Sequence, residues 1–288
     1  MHPVLLIVAH GSRDPRHAAT VAALAARVAA ARPHARVEVG YLDHCAPRVP
    51  RALRRLYDEG VRDVVALPLL LARAFHAKSD IPAVLDEVRA ALPRLRVVQG
   101  GVLGPDALLT AALDRRMAAA GLHLPAERAR TGVVLAAAGS SDPEAIASVA
   151  ETAREWRRTA GWCAVRPAFA SAAPPRTADA VRALRADGAE RVAVAPYVIA
   201  PGFLPDRIVQ GAAEARADVL APVLGAAPEL AELLARRYDE ARAAEPLPLS
   251  ALAAGAAGTQ AVRLRRRSLC LWAITLVTGW RGCVGWPT

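Results

Sequence analysis

Three short stretches in the first half of this 288-residue chain place groups able to hold a metal ion just after runs of apolar residues. In AHGSRD, residues 9–14, His10 follows VLLIVA; in GYLD, residues 40–43, Asp43 closes a second run; in AFHAKSDIP, residues 74–82, His76 follows PLLL. Neutral imidazole is a common ligand for intermediate divalent metals and titrates near neutral pH. A carboxylate supplies an oxygen ligand or orients a histidine. Each motif also has a plain structural reading. Gly11 permits a positive φ or a close backbone approach, Ser12 or Asp14 can cap one helix, and Ser79 or Asp80 another. Asp43 can serve a turn or a cap before a helix at 48–59. His44 and Cys45 adjoin it, but side-chain alternation turns at least one of them away, and Cys45 is not counted as a ligand.

The elements that would position these groups follow from hydrophobic patterning. Apolar runs at 4–9, 37–42, 63–71 and 95–99 are too short for core helices and rich in Val and Leu, so they predict strands. Between them, Val21, Leu24, Ala25 and Val28 keep helical spacing, as do Val49, Leu53, Leu56 and Tyr57, and Ile81, Leu85, Val88 and Leu92. Gly60 stands where the second of these helices should end. Continuous apolar strands alternating with amphipathic helices predict an α/β fold, a parallel sheet covered on both faces. Ligands in such sheets bind outside the carboxyl ends of the strands, which is where His10, Asp43 and His76 fall.

The chain is internally duplicated. Slid by 128 positions, Gly11-Ser12 falls on Gly139-Ser140, Asp14-Pro15 on Asp142-Pro143, Gly60 on Gly188, Pro68 on Pro196 and Phe75 on Phe203. VLG at 102–104 answers VLG at 223–225 at an offset of 121, so the second copy is shorter there. Its apolar runs lie at 132–137, 164–170, 191–199 and 219–224. The expectation is two tandem similar domains, 1–122 and 130–244, with parallel sheets flanked by helices and a cleft between them, followed by a disordered basic tail over 245–288. The duplication also serves as a control. His10 aligns with Ala138, Asp43 with Ser171 and His76 with Leu204. A purely structural role would make equal demands on both copies. The losses instead predict a metal site in the first domain and a second that supplies the opposite wall.

Composition excludes several function classes. The formal net charge is +10, but Arg263, Arg265, Arg266, Arg267 and Arg281 in the acid-free stretch 246–288 account for half of it. The remainder is interleaved with Asp and Glu, and no Arg-aromatic platform or zinc-finger spacing occurs, so nucleic acid is not an expected partner. Lys78 is the only lysine among 37 basic residues. Cys45, Cys163, Cys270 and Cys283 form no CxxC pair, which fits a reducing cytosol and not a disulfide scaffold. The start reads as a first strand and not a signal peptide, and LCLWAITLV is too short to span a bilayer, so stable membrane insertion is not expected. No P-loop occurs, so no ATP requirement is implied.

AHGSRD, GYLD followed by CAP, and AFHAKSDIP together resemble the class II tetrapyrrole chelatases, specifically the two-repeat sirohydrochlorin ferro- and cobaltochelatases. PYVIAPGFLPDRI at 196–208 matches the corresponding segment of the second repeat, and the resemblance covers about 1–240. It implies a bilobal chelatase fold and a site of two histidines and an acid, His10, His76 and Asp43, the histidines also catalytic. The family usually has Glu where this chain has Asp43, which shortens the reach by one methylene. The implied substrates are a divalent metal, Fe²⁺ or Co²⁺, and a small tetrapyrrole bearing eight carboxylates, for which Ser12, Arg13 and Lys78 are candidate partners. No prosthetic group is implied, and a monomer or homodimer is expected. A cobaltochelatase dedicated to cobalamin, and a non-catalytic metal or tetrapyrrole carrier, are the competing readings.

Overall fold

The computed structural model describes residues 2–73 and 76–244, with the backbone alone for His76. The tail expected over 245–288 lies outside the described residues. In the first repeat β1 (Val4–Ala9), β2 (Val37–Tyr41), β3 (Asp63–Pro68) and β4 (Arg96–Gln99) form a parallel sheet in the order β2-β1-β3-β4. In the second, β5 (Thr131–Ala137), β6 (Ala164–Phe169), β7 (Arg191–Tyr197) and β8 (Val219–Leu220) repeat it as β6-β5-β7-β8. The helices are α1 (Pro15–Ala31), α2 (Val49–Asp58), α3 (Ile81–Ala91), α4 (Ala107–Ala119), α5 (Pro125–Arg128), α6 (Pro143–Ala160), α7 (Thr177–Ala186), α8 (Phe203–Glu214) and α9 (Pro228–Ala243). The fold is thus α/β with two parallel four-stranded sheets flanked by helices, as the patterning predicts.

β1 shows why its sequence carries no alternation. All six residues of VLLIVA are buried, because helices cover both faces of the sheet. Leu5, Ile7 and Ala9 point into one core with Val21, Leu24 and Val28 of α1, while Val4, Leu6 and Val8 point into another with Leu53, Leu56 and Leu85 of α2 and α3. Each aliphatic side chain so buried stabilises the fold by roughly 1.5–3 kcal/mol.

The final helix of each repeat packs against the other repeat, which patterning along one repeat does not reveal. α9 lies on the first sheet: Tyr238 is buried and its hydroxyl donates to the Pro3 carbonyl at 2.5 Å, while Arg237 donates to the carbonyls of Val102 and Leu103 at 3.1 and 3.2 Å. Reciprocally, α4 lies on the second repeat, where Trp156 of α6 donates to Asp114 at 3.1 Å. One core cluster therefore runs through both repeats, and residues 1–245 group as one compact unit.

Candidate metal and tetrapyrrole site

The two β-to-α turns at the carboxyl edge are built alike. Gly11 and Gly139 both adopt φ +94°, and a Cβ on them would lie 1.7 Å from the Asp43 carbonyl oxygen and 2.0 Å from that of Ser171. Only glycine allows the first turn of each repeat to press so close against the end of the neighbouring strand. The contact is held by the Asp43 amide donating to the His10 carbonyl at 2.7 Å, and by the Ser171 amide donating to the Ala138 carbonyl at 3.0 Å. Asp14 then caps α1, accepting from the Arg16 amide at 2.9 Å, and Asp142 caps α6, accepting from Glu144 at 3.0 Å. Of the two caps considered for α1, Asp14 serves; the Ser12 hydroxyl accepts from the Asp14 amide at 3.1 Å. The cap expected at Ser79 or Asp80 is not made. A π-helical turn, His76–Asp80, feeds α3, and Asp80 is already helical (φ −69°, ψ −46°) with no side-chain cap. π-Helical turns are frequent at functional sites.

Between the lobes, at the carboxyl edges of both sheets, lies a cavity of about 380 Å³. Its first wall includes Ala9, His10, His17 and Leu69 to Ala72, and its second Ala138, Ala145, Ile146, Val198 and Leu204. The lining is mostly aliphatic; among the described residues the polar side chains on it are His10, His17, Ser140 and Tyr197. Burial pushes the Tyr197 phenol well above its ordinary value, so it stays neutral.

The candidates named from sequence are distributed as follows. His10 is exposed and lines the cavity, with the His44 ring 6.4 Å away edge-on. His76 starts the π-helical turn at the end of the segment after β3. Asp43 lies at the same sheet edge but turns to local partners: its Oδ1 accepts from the His44 amide at 2.8 Å and from Arg48 at 2.6 Å. The amide bond first, and then Arg48, hold its carboxyl below the usual range. Cys45 donates from Sγ to the Ser12 carbonyl at 3.1 Å, a structural role. Arg13 is exposed, and Ser12 is where the second lobe meets the first, its Oγ 3.4 Å from where a Cβ on Gly202 would sit. Among the described residues no cluster of three His, Cys, Asp or Glu side chains assembles.

Lys78 crosses to the second lobe, where Asp142 and Glu144 accept from its Nζ at 2.6 and 2.7 Å. The repeat relates this ion pair to another. At the same offset of 128, Lys78 corresponds to Asp206 and Glu144 to Arg16. Arg16 lies 3.5 Å from Asp206 across the lobes, its charge also shared with Asp14 at 2.5 Å. Two inter-lobe contacts of opposite polarity thus flank the cavity.

His17 was not singled out by spacing, and the signal for it lay in the duplication. It extends the α1 stripe of Val21, Leu24 and Val28 by one turn, and its counterpart in the stripe of α6, Ala145, Val149, Thr152 and Trp156, is Ala145. It is a fourth group present in the first repeat and lost in the second.

The geometry is that of a bilobal α/β unit with an apolar cleft between two sheet edges and, among the described residues, imidazole on one wall alone. The chain belongs to the CbiX family, whose model matches residues 4–120 and 132–241. It is 27% identical over 254 residues to a sirohydrochlorin cobaltochelatase of Priestia megaterium, covering 82% of this chain and 79% of that one. It is 29% identical over 211 residues to a sirohydrochlorin ferrochelatase of Bacillus subtilis (strain 168), covering 72% and 78%. In structure it is similar to SirB from Bacillus subtilis with Fe³⁺, with a TM-score of 0.71, 25% identity, and coverage of 84% of this chain and 96% of that one.

Proposed function

We propose that this chain is a sirohydrochlorin metal chelatase, a lyase-type enzyme of the reducing cytosol that inserts Fe²⁺ or Co²⁺ without ATP. The observation that carries the reading is the inter-lobe cavity, aliphatic on both walls and imidazole-bearing on the first alone. Family membership and the names of the relatives support the substrate. Cys45 and Cys163 are free thiols, which accords with a reducing compartment. No helix among the described residues is long and apolar enough to cross a membrane.

His10 and His76 would hold the incoming ion. Neutral imidazoles bind an intermediate divalent metal firmly enough to position it and loosely enough to release it, which four thiolates would not. Asp43, its carboxylate engaged by Arg48, would act on His10 through the turn or through water. Aliphatic walls receive the faces of the macrocycle and exclude water from the ion. A cavity of about 380 Å³ is at the small end of ligand sites. The carboxylate rim therefore stays at the mouth, where charge remains hydrated. Ser12, Arg13 and Lys78 would meet that rim, and Lys78 would exchange its bonds to Asp142 and Glu144 for those to the substrate. The reaction balances as free-base macrocycle plus M²⁺ giving metallated macrocycle plus two protons.

The test is anaerobic insertion of Fe²⁺ and of Co²⁺ into sirohydrochlorin, beside His10→Ala and His76→Ala. Wild type should yield many equivalents of metallated product per chain, and each substitution should slow insertion by about a hundredfold or more. A yield that stops at one equivalent identifies a carrier instead. Full activity in both variants would overturn the metal site.

A further inference from the structure

We propose that His17 is the proton acceptor of metal insertion, taking a proton from a pyrrolic N–H of the macrocycle while His10 holds the ion. This rests on the chelatase reading and deepens it.

The inference starts from what an imidazole can do at one time. A ring nitrogen that donates its lone pair to a metal has none left for a proton, so a histidine holding the ion does not also accept protons at that nitrogen. Two protons must nevertheless leave the macrocycle inside a cavity walled by aliphatic side chains. Of the polar side chains on that wall among the described residues, Ser140 and Tyr197 are poor bases near neutral pH, which leaves His10 and His17. With His10 and His76 committed to the metal, His17 remains.

The placement of His17 supports a role beyond packing. It sits on the core-facing stripe of α1, one turn above Val21, at the position where the second repeat has buried Ala145. Alanine satisfies the packing there, so the imidazole is surplus to the fold. The side chain is partly buried, and its Nδ1 is shut off from solvent with no hydrogen-bond partner among the described residues. Buried polar atoms are ordinarily paired, and one with no protein partner is open to a water or a ligand, or has a chemical role. No bond at Nδ1 locks a tautomer, so the lone pair can reside on Nε2. The step forms an imidazole N–H bond and breaks a pyrrole N–H bond. The electron pair left on the pyrrole nitrogen binds the metal, and the imidazolium returns its proton to water, which frees the ring to take the second N–H proton by the same step.

The surroundings favour a relay over a sink. Burial lowers the His17 pKa below the usual imidazole value, against a smaller opposing pull from Asp14. The ring is therefore neutral at neutral pH and gives up a captured proton readily. The Tyr41 ring of β2 lies 6.4 Å away, and burial raises its phenol; Tyr197 lines the cavity from the second lobe. Neither carries charge near neutral pH, so Asp14 is the charged group bearing on His17.

The experiment compares wild type, His17→Gln and His17→Ala in two assays: Co²⁺ binding without tetrapyrrole, followed by visible absorption, and Co²⁺ insertion into sirohydrochlorin from pH 5.5 to 9. The expected result is Co²⁺ affinity within about twofold of wild type and kcat lowered by about a hundredfold. The acid limb of the pH profile should vanish in both variants, and added imidazole should raise kcat of His17→Ala. Wild-type kcat with an unchanged acid limb in His17→Gln overturns the assignment while leaving the chelatase reading intact. Loss of Co²⁺ affinity in both variants overturns it in favour of a ligand role. A wild-type protein that binds Co²⁺ but never metallates the macrocycle overturns the chelatase reading itself, and this one with it.

Discussion

Replacing Gly11, Gly139 and Gly60 by alanine, one at a time, separates three costs that the structure keeps apart. Gly60 has φ +91° with nothing within 4 Å of an added Cβ, so Gly60→Ala incurs backbone strain alone. A non-glycine residue held at such a φ costs about 1–3 kcal/mol. The smaller freedom of alanine in the unfolded chain returns about 0.4–1 kcal/mol, leaving a net loss near 1 kcal/mol. Gly11 and Gly139 share that strain at φ +94°, but their Cβ would stand 1.7 and 2.0 Å from a backbone oxygen, a distance no side-chain adjustment relieves. The strand ends must separate, which disturbs the amide bonds at 2.7 and 3.0 Å that hold each turn. Losing one such bond and leaving its buried groups unpaired adds about 1–3 kcal/mol. The expected losses are therefore about 1 kcal/mol for Gly60→Ala and about 2–4 kcal/mol for each of the other two. At roughly 2–4 °C per kcal/mol, the melting temperature should fall by a few degrees in the first case and by on the order of 10 °C in the others. Gly11→Ala and Gly60→Ala melting together would refute the close-approach reasoning. The pair also has a functional reading: Gly11 carries His10 and Gly139 carries Ala138, so Co²⁺ affinity should fall only in Gly11→Ala. Equal loss of affinity in Gly139→Ala would refute confinement of the metal to the first lobe.

The inter-lobe pairs should matter more to ligand entry than to stability, because exposed ion pairs contribute about 0–1 kcal/mol. Lys78→Glu faces Asp142 and Glu144 at the positions it now pairs with, so it should slow tetrapyrrole association in stopped-flow fluorescence and weaken its salt dependence, with melting little changed; an unaltered rate and salt slope would refute a contact with the substrate rim. His17 also predicts how stability depends on pH. Its folded pKa lies below the unfolded value of about 6.5, so the folded state binds fewer protons, and stability falls as pH drops through 6.5 toward the folded pKa. His17→Gln should flatten that part of the urea-midpoint profile between pH 7 and 5, and an unchanged slope would place the acid sensitivity elsewhere.

Much of the scaffold was legible because its rules are local. Strands buried on both faces read as unbroken apolar runs, amphipathic helices between them read as period 3.6, and the internal offset of 128 set the two repeats in register without reference to any structure. The same offset isolated His10, Asp43 and His76 as groups the second copy lacks. It also contained His17 against Ala145, but on a helix whose burial was not yet known an extra histidine is indistinguishable from a surface one.

What the tertiary structure alone decided concerns contacts that no periodicity within one element specifies. The exchange of α4 and α9 between repeats joins the two cores, and no periodicity within one helix says which sheet it will cover. Asp43 reads from sequence as an oxygen ligand, a carboxylate that orients a histidine, or a turn residue; folding brings Arg48 to it at 2.6 Å. Lys78 was read as a partner for the substrate; folding gives it Asp142 and Glu144, 64 and 66 residues away. Residue type and spacing determined which groups could do chemistry and at which edge of the sheet. Their partners, and so their charge and freedom, depended on how the chain folds around that edge, within the first lobe for Asp43 and across the two lobes for Lys78.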